Sequence, residues 1–340
     1  MKRRPISKKN MIWATVLIAT PLILGVLALG MGRYTISLSE IVNAFFPGVF
    51  SNNEVEQTVK TVLFTIRTPR VILALIAGAG LSVAGASFQG LFSNPLATPD
   101  TLGVASGASF GAALGILLQL PTYGIQISAV IFGVCAVVIV YAVSQIKGSS
   151  SVIMIILSGM VVGALFNAFV SLVKYIADPQ DTLPAIMFWL LGSLAGTNFE
   201  KLMLGSPALA IGIIVVYVLR WRLNVMSLHE DEAKSLGTNV KMIRISIIVA
   251  STMITASVIS MCGAIGWVGL LIPHVARMIF GNDNQLVIPA CMGLGATYLL
   301  VIDTIARSVS AAEIPVSILT AIVGAPVFII LLRKTGGVKV

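Results

Sequence analysis

Long apolar runs occupy most of this chain, and only short polar stretches separate them. A run of about 20 predominantly apolar residues is long enough to cross a bilayer as one α-helix. The composition agrees, because 57% of the 340 residues are hydrophobic and only 10% are charged, against roughly 25% charged residues in a soluble domain. We therefore predict an all-α, polytopic membrane protein that forms a single transmembrane domain over residues 1–340.

The positions of the runs predict ten transmembrane helices. One of them begins near Asp100 or Thr101, either of which can cap it. The other nine lie at about residues 11–31, 62–92, 126–145, 152–176, 202–219, 245–262, 265–280, 286–305 and 315–332. The apolar stretch 183–194 is too short to cross, so we expect a half-inserted helix on the outer side. Residues 38–46 form an amphipathic piece that fits the outer interface.

The distribution of basic residues sets the orientation. Short loops on the cytoplasmic side of a membrane carry an excess of lysine and arginine. With ten crossings and both termini in the cytosol, 15 of the 22 basic residues lie inside and 7 lie outside. The net charge of +9 is therefore a signal of topology, and no aromatic and basic face points to nucleic acid.

A charged island at residues 219–244 separates two apolar runs in the second half of the chain. Its charges are Arg220, Arg222, Glu230, Asp231, Glu232, Lys234, Lys241 and Arg244. The segment continues at helical spacing up to Gly237, a natural C-terminal stop, so we predict one or two short helices. Its basic charge places it in the cytosol. Composition alone leaves two possibilities open, a solvated connector or a handle for a soluble partner.

Two further patterns concern helix breaks and helix contacts. Pro95 and Pro99 should break the helix twice between residues 92 and 100. Glycines then recur at every fourth position, which puts them on one helical face and allows a neighbouring helix to come close. These glycines are Gly103, Gly107, Gly111 and Gly115.

The sequence also excludes several kinds of chemistry. The three cysteines lie in apolar runs without metal-like spacing, and the two histidines are far apart, so we expect neither a metal site nor a cofactor. No GxxxxGK[ST] motif is present, so this chain cannot hydrolyse ATP by that route. A membrane enzyme would need a cluster of His, Asp or Glu around one cavity, and the few intramembrane acids argue against it.

An ordered set of short stretches resembles the FecCD family of ABC-transporter permeases, which import iron-siderophore complexes, haem and cobalamin. The stretches are Arg67-Thr68-Pro69-Arg70, Gly85-Ala86-Ser87-Phe88-Gln89-Gly90, Asn94-Pro95-Leu96-Ala97, Leu102-Gly103-Val104, Gly266-Trp267-Val268-Gly269-Leu270-Leu271-Ile272-Pro273-His274, Asp303-Thr304-Ile305-Ala306-Arg307 and Gly324-Ala325-Pro326-Val327-Phe328. Each stretch is weak alone, but the ordered set is highly specific, and the resemblance covers nearly the whole chain from about residue 60 to 332.

The resemblance implies the type II ABC importer permease fold in the plasma or inner membrane of a prokaryote. It also implies partners: a second permease subunit, identical or paralogous, two ATPase subunits in the cytosol and a substrate-binding protein outside. The segment 223–244 would then couple this chain to the ATPase. Its contact residues would be Ser227, Glu230, Asp231, Glu232, Ala233, Leu236 and Gly237. No residue is expected to be catalytic, because ATP hydrolysis belongs to the separate subunit.

Arg67, Arg70 and Arg307 lie at predicted outer helix ends. From chemistry alone they could snorkel to lipid headgroups, with Asp303 and Arg307 forming an ion pair four residues apart on one helical side. The resemblance instead implies that the arginines dock acidic residues on the two lobes of the binding protein.

The expected cargo is a metal chelate, with ferric siderophore favoured over haem and cobalamin, and it would move through a mainly apolar pathway. The candidate pathway residues are Gly78, Ser82, Gly85, Gln89, Gly103, Gly107 and Met160. The alternative is an ion-coupled secondary transporter, which would bury ionisable residues at mid-depth. Only Asp100 and Asp303 qualify, and both are predicted nearer to the ends of spans.

Overall fold

A computed structural model describes residues 8–47, 49, 55–145, 152–228, 230–309 and 313–334. Over these ranges the chain is helical, without a strand. The helices are α1 (Lys8–Gly30), α2 (Leu38–Phe45), α3 (Gln57–Lys60), α4 (Thr68–Leu91), α5 (Val104–Leu117), α6 (Thr122–Ser144), α7 (Val152–Ile176), α8 (Thr182–Leu190), α9 (Phe199–Val225), α10 (Glu230–Ser235), α11 (Val240–Cys262), α12 (Val268–Phe280), α13 (Asn284–Val309) and α14 (Val316–Lys334). The basic residues 2–4, Lys147, His229 and Lys339 lie outside the described ranges.

The all-α, multi-pass class is confirmed. Within the described ranges, 7 helices are long and apolar enough to cross a membrane, and they fall on predicted spans. The shorter apolar helices at residues 104–117, 268–280 and 316–331 fall on the other predicted spans, while the number of crossings stays a prediction. The stretch expected to be too short to cross forms α8, which has 9 residues.

Helix α4 lies at the centre of the bundle and packs against α9, α11, α12 and α13. Its sequence is rich in glycine, alanine and serine, and it is buried over most of its length. Inside lipid, helices associate mainly through close packing of small residues, because burial from water supplies little driving force there. At Gly78 an added Cβ would overlap the carbonyl oxygen of Gly295 on α13, and at Gly85 it would overlap the carbonyl oxygen of Gly269 on α12.

The helix that contains α4 starts well before residue 68. From Gln57 to Leu91 the chain is continuously helical for 35 residues, including a π-helical segment at Thr61–Arg67. Pro69 has no amide hydrogen to donate, and the Thr68 hydroxyl donates to the Leu63 carbonyl at 2.7 Å. The π-helical segment ends at Arg67, so Arg67 and Arg70 lie at the N-terminal end of α4, beside the C-terminal ends of α1 and α13.

The expected break after α4 is present, but the next helix starts later than predicted. A 3₁₀ turn at Pro99–Leu102 follows the break, with Thr98 as its N-terminal flanking residue. Gly103 then has a φ of +73°, which interrupts the helix, so α5 begins at Val104 and not at Asp100 or Thr101. The expectation of a start at residue 100 or 101 is therefore wrong.

The glycine stripe has the predicted packing role for three of its four members. Gly107, Gly111 and Gly115 let α6 approach α5: a Cβ on Gly107 would lie 2.5 Å from the Phe132 carbonyl oxygen, and one on Gly115 would lie 3.1 Å from the Ile125 Cα. Gly103 lies before the helix and faces Gly163 of α7. Its left-handed backbone removes it from the stripe.

A second break separates α11 from α12. Gly263 and Trp267 both have positive φ, +73° and +71°, so the chain between them is not helical. The predicted span 265–280 therefore contains a helix of only 13 residues, α12. Its first turn packs against the middle of α4, since Gly269 lies beside Leu81 and Gly85. Thus α12 begins at mid-depth in the bundle.

The amphipathic piece near the outer interface forms α2. Ser37 caps its first turn by accepting from the Glu40 amide, while the Glu40 carboxylate accepts from the Ser37 amide at 2.8 Å. The Ser37 hydroxyl also donates to the Glu40 carboxylate at 2.6 Å, and this hydrogen bond, followed by the one from the Ser37 amide, lowers the pKa of Glu40. The reciprocal cap fixes where α2 starts.

Candidate functional site

The N-terminal end of α4 and the C-terminal end of α13 are joined by a buried ion pair. The Arg70 guanidinium donates to Asp303 from Nε at 3.0 Å and from Nη2 at 2.9 Å, and its Nη1 donates to Glu313 at 2.9 Å. The Asp303 side chain is 0% exposed and that of Glu313 is 33% exposed. Arg70 therefore satisfies a fully buried carboxylate and a half-buried one at the same time.

Arg67 and Arg307 connect the same region to the end of α1. Arg67 donates to the Leu29 carbonyl at 2.6 Å and to the Tyr34 carbonyl, while Arg307 donates to the Ala28 carbonyl. These contacts satisfy backbone acceptors at and just beyond the C-terminus of α1, where helical partners run out. The Nε of Arg307 lies 3.9 Å from Asp303, so the predicted pair four residues apart is present but looser than the pair with Arg70.

We define Arg67, Arg70, Asp303, Arg307 and Glu313 as the outer charge cluster, because the distribution of basic residues predicts that this end of the bundle lies outside. Its three arginines are 5–6% exposed. They do not extend to the surface as headgroup anchors would, because their donors meet partners inside the chain. Glu313 was not among the predicted site residues. Its only signal was an acid six residues beyond Arg307 in a short loop, and a loop residue's partner cannot be read from helical spacing.

The charged island has the predicted local structure. Helix α9 continues to Val225, α10 spans Glu230–Ser235, and Gly237 follows with a φ of +73°. The Gly237 amide donates to the Lys234 carbonyl at 2.9 Å, and the Thr238 amide donates to the Ala233 carbonyl at 3.2 Å. Gly237 is thus the helix stop that the sequence indicated.

The predicted coupling residues divide into an exposed group and a buried anchor. Ala233 is 1% exposed and packs into the core. Glu230 begins α10. The residues Ser227, Asp231, Glu232, Leu236 and Gly237 are exposed. An exposed leucine one helical turn after Glu232, on a segment anchored by Ala233, is a surface that a partner protein can cover.

A polar cluster not found by sequence reasoning lies at the same end of the bundle. Asn224, at the end of α9, donates to Asp283 at 2.7 Å and accepts from the Asn284 amide at 2.8 Å. Arg277 of α12 donates to Asn284 at 3.1 Å and to the Ala86 carbonyl of α4 at 3.3 Å. The end of α9, next to the island, is therefore linked by hydrogen bonds to α12, α13 and α4.

Most predicted pathway residues lie in helix contacts. Gly78 and Gly85 are at the crossings of α4 described above, and the Ser82 hydroxyl donates to the Cys291 carbonyl of α13 at 2.7 Å. The Gln89 amide lies 3.5 Å from the Gly269 carbonyl. Met160, in contrast, is 63% exposed on α7. The pathway role of these residues stays a prediction.

A cavity lies between the two breaks in the helices. Its volume is about 230 Å³, and it is lined by Leu81, Thr98, Pro99, Asp100, Ala105, Thr255, Ile259, Ala264, Ile265, Gly266, Trp267, Gly269 and Leu270. The 3₁₀ turn before α5 forms one wall and the turn before α12 forms the other. Among the described residues, no group of three or more His, Cys, Asp or Glu could hold a metal ion.

Comparison with known proteins adds independent information. The profile of the FecCD transport family matches residues 19–334. The molybdate import system permease protein MolB of Haemophilus influenzae is 42% identical over 312 residues, 92% of either chain. A probable iron chelatin transport system permease protein of Helicobacter pylori is 37% identical over 318 residues, 93% of this chain and 96% of that one.

Solved structures give the same result. An ABC transporter assigned to the metal-chelate type, in an inward-facing conformation, superposes with a TM-score of 0.86 at 40% identity, over 94% of this chain and 98% of that one. PsaBC from Streptococcus pneumoniae superposes with a TM-score of 0.58 at 20% identity, over 78% and 90% of the chains, which supports the fold alone.

Proposed function

The chain belongs to the FecCD transport family of ABC importer permeases, and on that premise we propose that it forms part of the pathway for a metal chelate, with ferric siderophore the favoured cargo. The observation that supports the proposal is the charged island, an exposed helical segment in a bundle whose seven long apolar helices each carry at most two charged residues in their most apolar 18-residue window. Movement of the cargo is then driven by a separate ATPase that binds the island.

The cargo is proposed at the level of a chelate because relatives of similar identity differ in what they import. The relatives are named for the import of molybdate, iron chelatin and, for a Halobacterium salinarum permease 35% identical over 280 residues, cobalamin. A mainly apolar bundle suits a large chelate whose metal charge is screened by organic ligands better than it suits a bare oxyanion. Haem and cobalamin remain the next candidates.

We propose that two ATPase subunits, an external binding protein and a second permease subunit complete the transporter. Both termini then lie in the cytosol, as the distribution of basic residues favours. The rival, an ion-coupled secondary transporter, would need a chain of ionisable residues at mid-depth. Asp100 and Asp303 do not form one, since Asp303 is paired with Arg70 at an end of the bundle and Asp100 is the single charged residue among the described residues that line the cavity.

Replacing Gly237 with tryptophan is expected to abolish most ATP-driven uptake in vesicles reconstituted with the ATPase and the binding protein. A φ of +73° is strained for a residue with a Cβ, so the end of α10 must rearrange. Space is not the cause, because a Cβ at Gly237 would meet nothing within 4 Å. Gly237→Asn is the matched control, since asparagine tolerates the left-handed region, and it should retain most uptake.

The same vesicles test the energy source. Uptake should require ATP inside and should persist when the proton gradient is collapsed. Uptake by this chain alone, driven by a proton or sodium gradient, would refute the importer proposal. If Gly237→Trp still binds and stimulates the ATPase as the wild type does, the island is only a connector.

We further propose that Arg67, Arg70 and Arg307 attract the binding protein. Five charged groups meet at this end of the bundle, and with three arginines against two acids the cluster carries a net positive charge. A positive outer patch steers an acidic partner by long-range attraction even when its members are not surface-exposed. Direct docking would require partner acids to displace Asp303 or Glu313 from the arginines.

Arg67→Glu and Arg307→Glu are each expected to slow association of the binding protein several-fold and to reduce its salt dependence, because steering is electrostatic. Both side chains are buried, so each reversal also places a carboxylate in a buried site and lowers stability. Arg67→Gln and Arg307→Gln remove the positive charge without adding a buried carboxylate, and therefore separate the effect of charge from the effect on folding. Arg33→Glu, at an exposed site, is the control for general surface charge. Association rates of the binding protein with the permease in nanodiscs, measured at two salt concentrations, test this prediction. If Arg33→Glu and Arg67→Glu slow association equally, Arg67 has no specific role in attracting the binding protein.

A further inference from the structure

The cavity between the two helix breaks is chemically distinct from the rest of the bundle. It lies at mid-depth, because it is lined by Leu81 from the middle of α4 and by Gly269 from the start of α12. Neither the outer charge cluster nor the island contributes to it. Most of its wall is apolar, including Ile259 and Leu270.

Three side chains give the cavity its recognition chemistry. Asp100 is the only charged residue that lines it, and the side chain is exposed. Thr255 is 3% exposed, and among the described residues its hydroxyl oxygen has no hydrogen-bond partner. A buried hydroxyl without a partner is costly, so a native structure that keeps one points to a group that binds there. Trp267 also lines the cavity, and part of its indole side chain packs against Gly324 and Phe328 of α14.

The charge balance of the cavity favours a cation. The first turn of α12 begins at one wall, and a helix N-terminus carries roughly half a positive charge. Asp100 contributes a carboxylate, whose charge when ionised is larger than the partial charge of a helix end. A carboxylate therefore outweighs the helix end, and an oxyanion would be repelled.

The size and the apolar walls decide which cation fits. A cavity of about 150 Å³ holds a benzene ring, so about 230 Å³ leaves room for a ring and a short polar arm. An inorganic cation would have only one carboxylate here and would leave the apolar wall uncovered. An aromatic face attracts an ammonium group, and a hydroxyl can accept a proton from it.

We propose that this cavity is a binding site for a small organic cation, a protonated amine on an apolar body of about ten non-hydrogen atoms. The ammonium group binds Asp100 and donates to the Thr255 hydroxyl, while the apolar body packs against Trp267 and the aliphatic wall. The site lies within one permease chain, so it needs neither the ATPase nor the binding protein and stands independently of the proposed cargo.

Calorimetric titration of the full chain in nanodiscs tests the site with three probes of one shape: benzylamine, benzyl alcohol and benzoate, with empty nanodiscs as the blank for partition into lipid. At neutral pH, benzylamine should bind saturably and at least tenfold more tightly than benzyl alcohol, and benzoate should not bind. A hydrogen bond to a charged group is worth enough to account for that factor.

Asp100→Asn keeps the shape and removes the charge, so it should weaken benzylamine binding about tenfold and change benzyl alcohol binding less than twofold. Thr255→Val should weaken benzylamine several-fold through the lost hydroxyl. Glu200→Gln removes a carboxylate from an exposed first turn of α9 and should change nothing. The proposal is overturned if benzylamine binds the wild type no better than benzyl alcohol, or if neither cavity variant alters its affinity.

Discussion

Replacing Gly85 with alanine is expected to destabilise the bundle by about 3 kcal/mol, because overpacking a tight contact commonly costs 1–3 kcal/mol and backbone cannot move aside as a side chain can. A Cβ at Gly85 would overlap the Gly269 carbonyl oxygen and lie 2.6 Å from the Gly269 Cα. Helices α4 and α12 would have to separate. The start of α12, which forms a wall of the mid-depth cavity, would shift with them.

Gly25→Ala is the matched control, since Gly25 also lies inside a helix but a Cβ there would meet only side chains at 3.8 Å. It should be neutral or slightly stabilising, because alanine favours helix over glycine. Thermal unfolding of purified protein in one detergent compares the two. If Gly85→Ala unfolds at the same temperature as Gly25→Ala, the close approach of α4 and α12 does not exist in the native bundle.

Replacing Arg70 with methionine is expected to cost about 3–5 kcal/mol, the range for leaving one member of a buried ion pair uncompensated. The Asp303 carboxylate is 0% exposed, and the loss of Arg70 would leave it only the looser contact with Arg307 at 3.9 Å. Removal of the second carboxylate, in Glu313→Gln, should cost less than about 1 kcal/mol because that side chain is one third exposed.

The double variant Arg70→Met, Asp303→Leu makes this prediction specific. Replacing a whole buried pair with apolar residues is often close to neutral, so the double variant should recover part of the loss. Unfolding midpoints of the two single variants and the double variant form a thermodynamic cycle. A double variant that is as unstable as the sum of the singles would mean that Arg70 and Asp303 do not interact.

The two results also bear on docking of the binding protein. The arginines expected to attract the partner are the same groups that join α1, α4 and α13 at the outer end. A variant that slows association without lowering the unfolding temperature would therefore support a role in docking. A variant that slows association and also lowers the unfolding temperature shows only that the helix bundle is less stable. For this reason charge removal at Arg67 and Arg307 is more informative than reversal.

Local sequence signals predict much of the fold. Apolar runs are helices in lipid whatever their neighbours are, so the predicted spans agree with the structure to within four residues for α13 and α14. Helices α9 and α11 extend five or six residues beyond their apolar runs into the charged island. Gly237 ends α10 and the prolines after Leu91 end α4, because both act on their own backbone. The family resemblance likewise rests on short ordered motifs, and the match over residues 19–334 confirms it.

The sequence by itself therefore determined a multi-pass helical bundle, its family and the helical island. Only the tertiary structure decided which partners meet. Arg70 and Asp303 are 233 residues apart, and no periodicity relates them or brings Glu313 to the same guanidinium. The cavity depends in the same way on two breaks, before α5 and before α12, that line it together with Leu81 of α4. Local rules act along one segment, whereas buried charge pairs and cavities arise from the packing of segments distant in sequence.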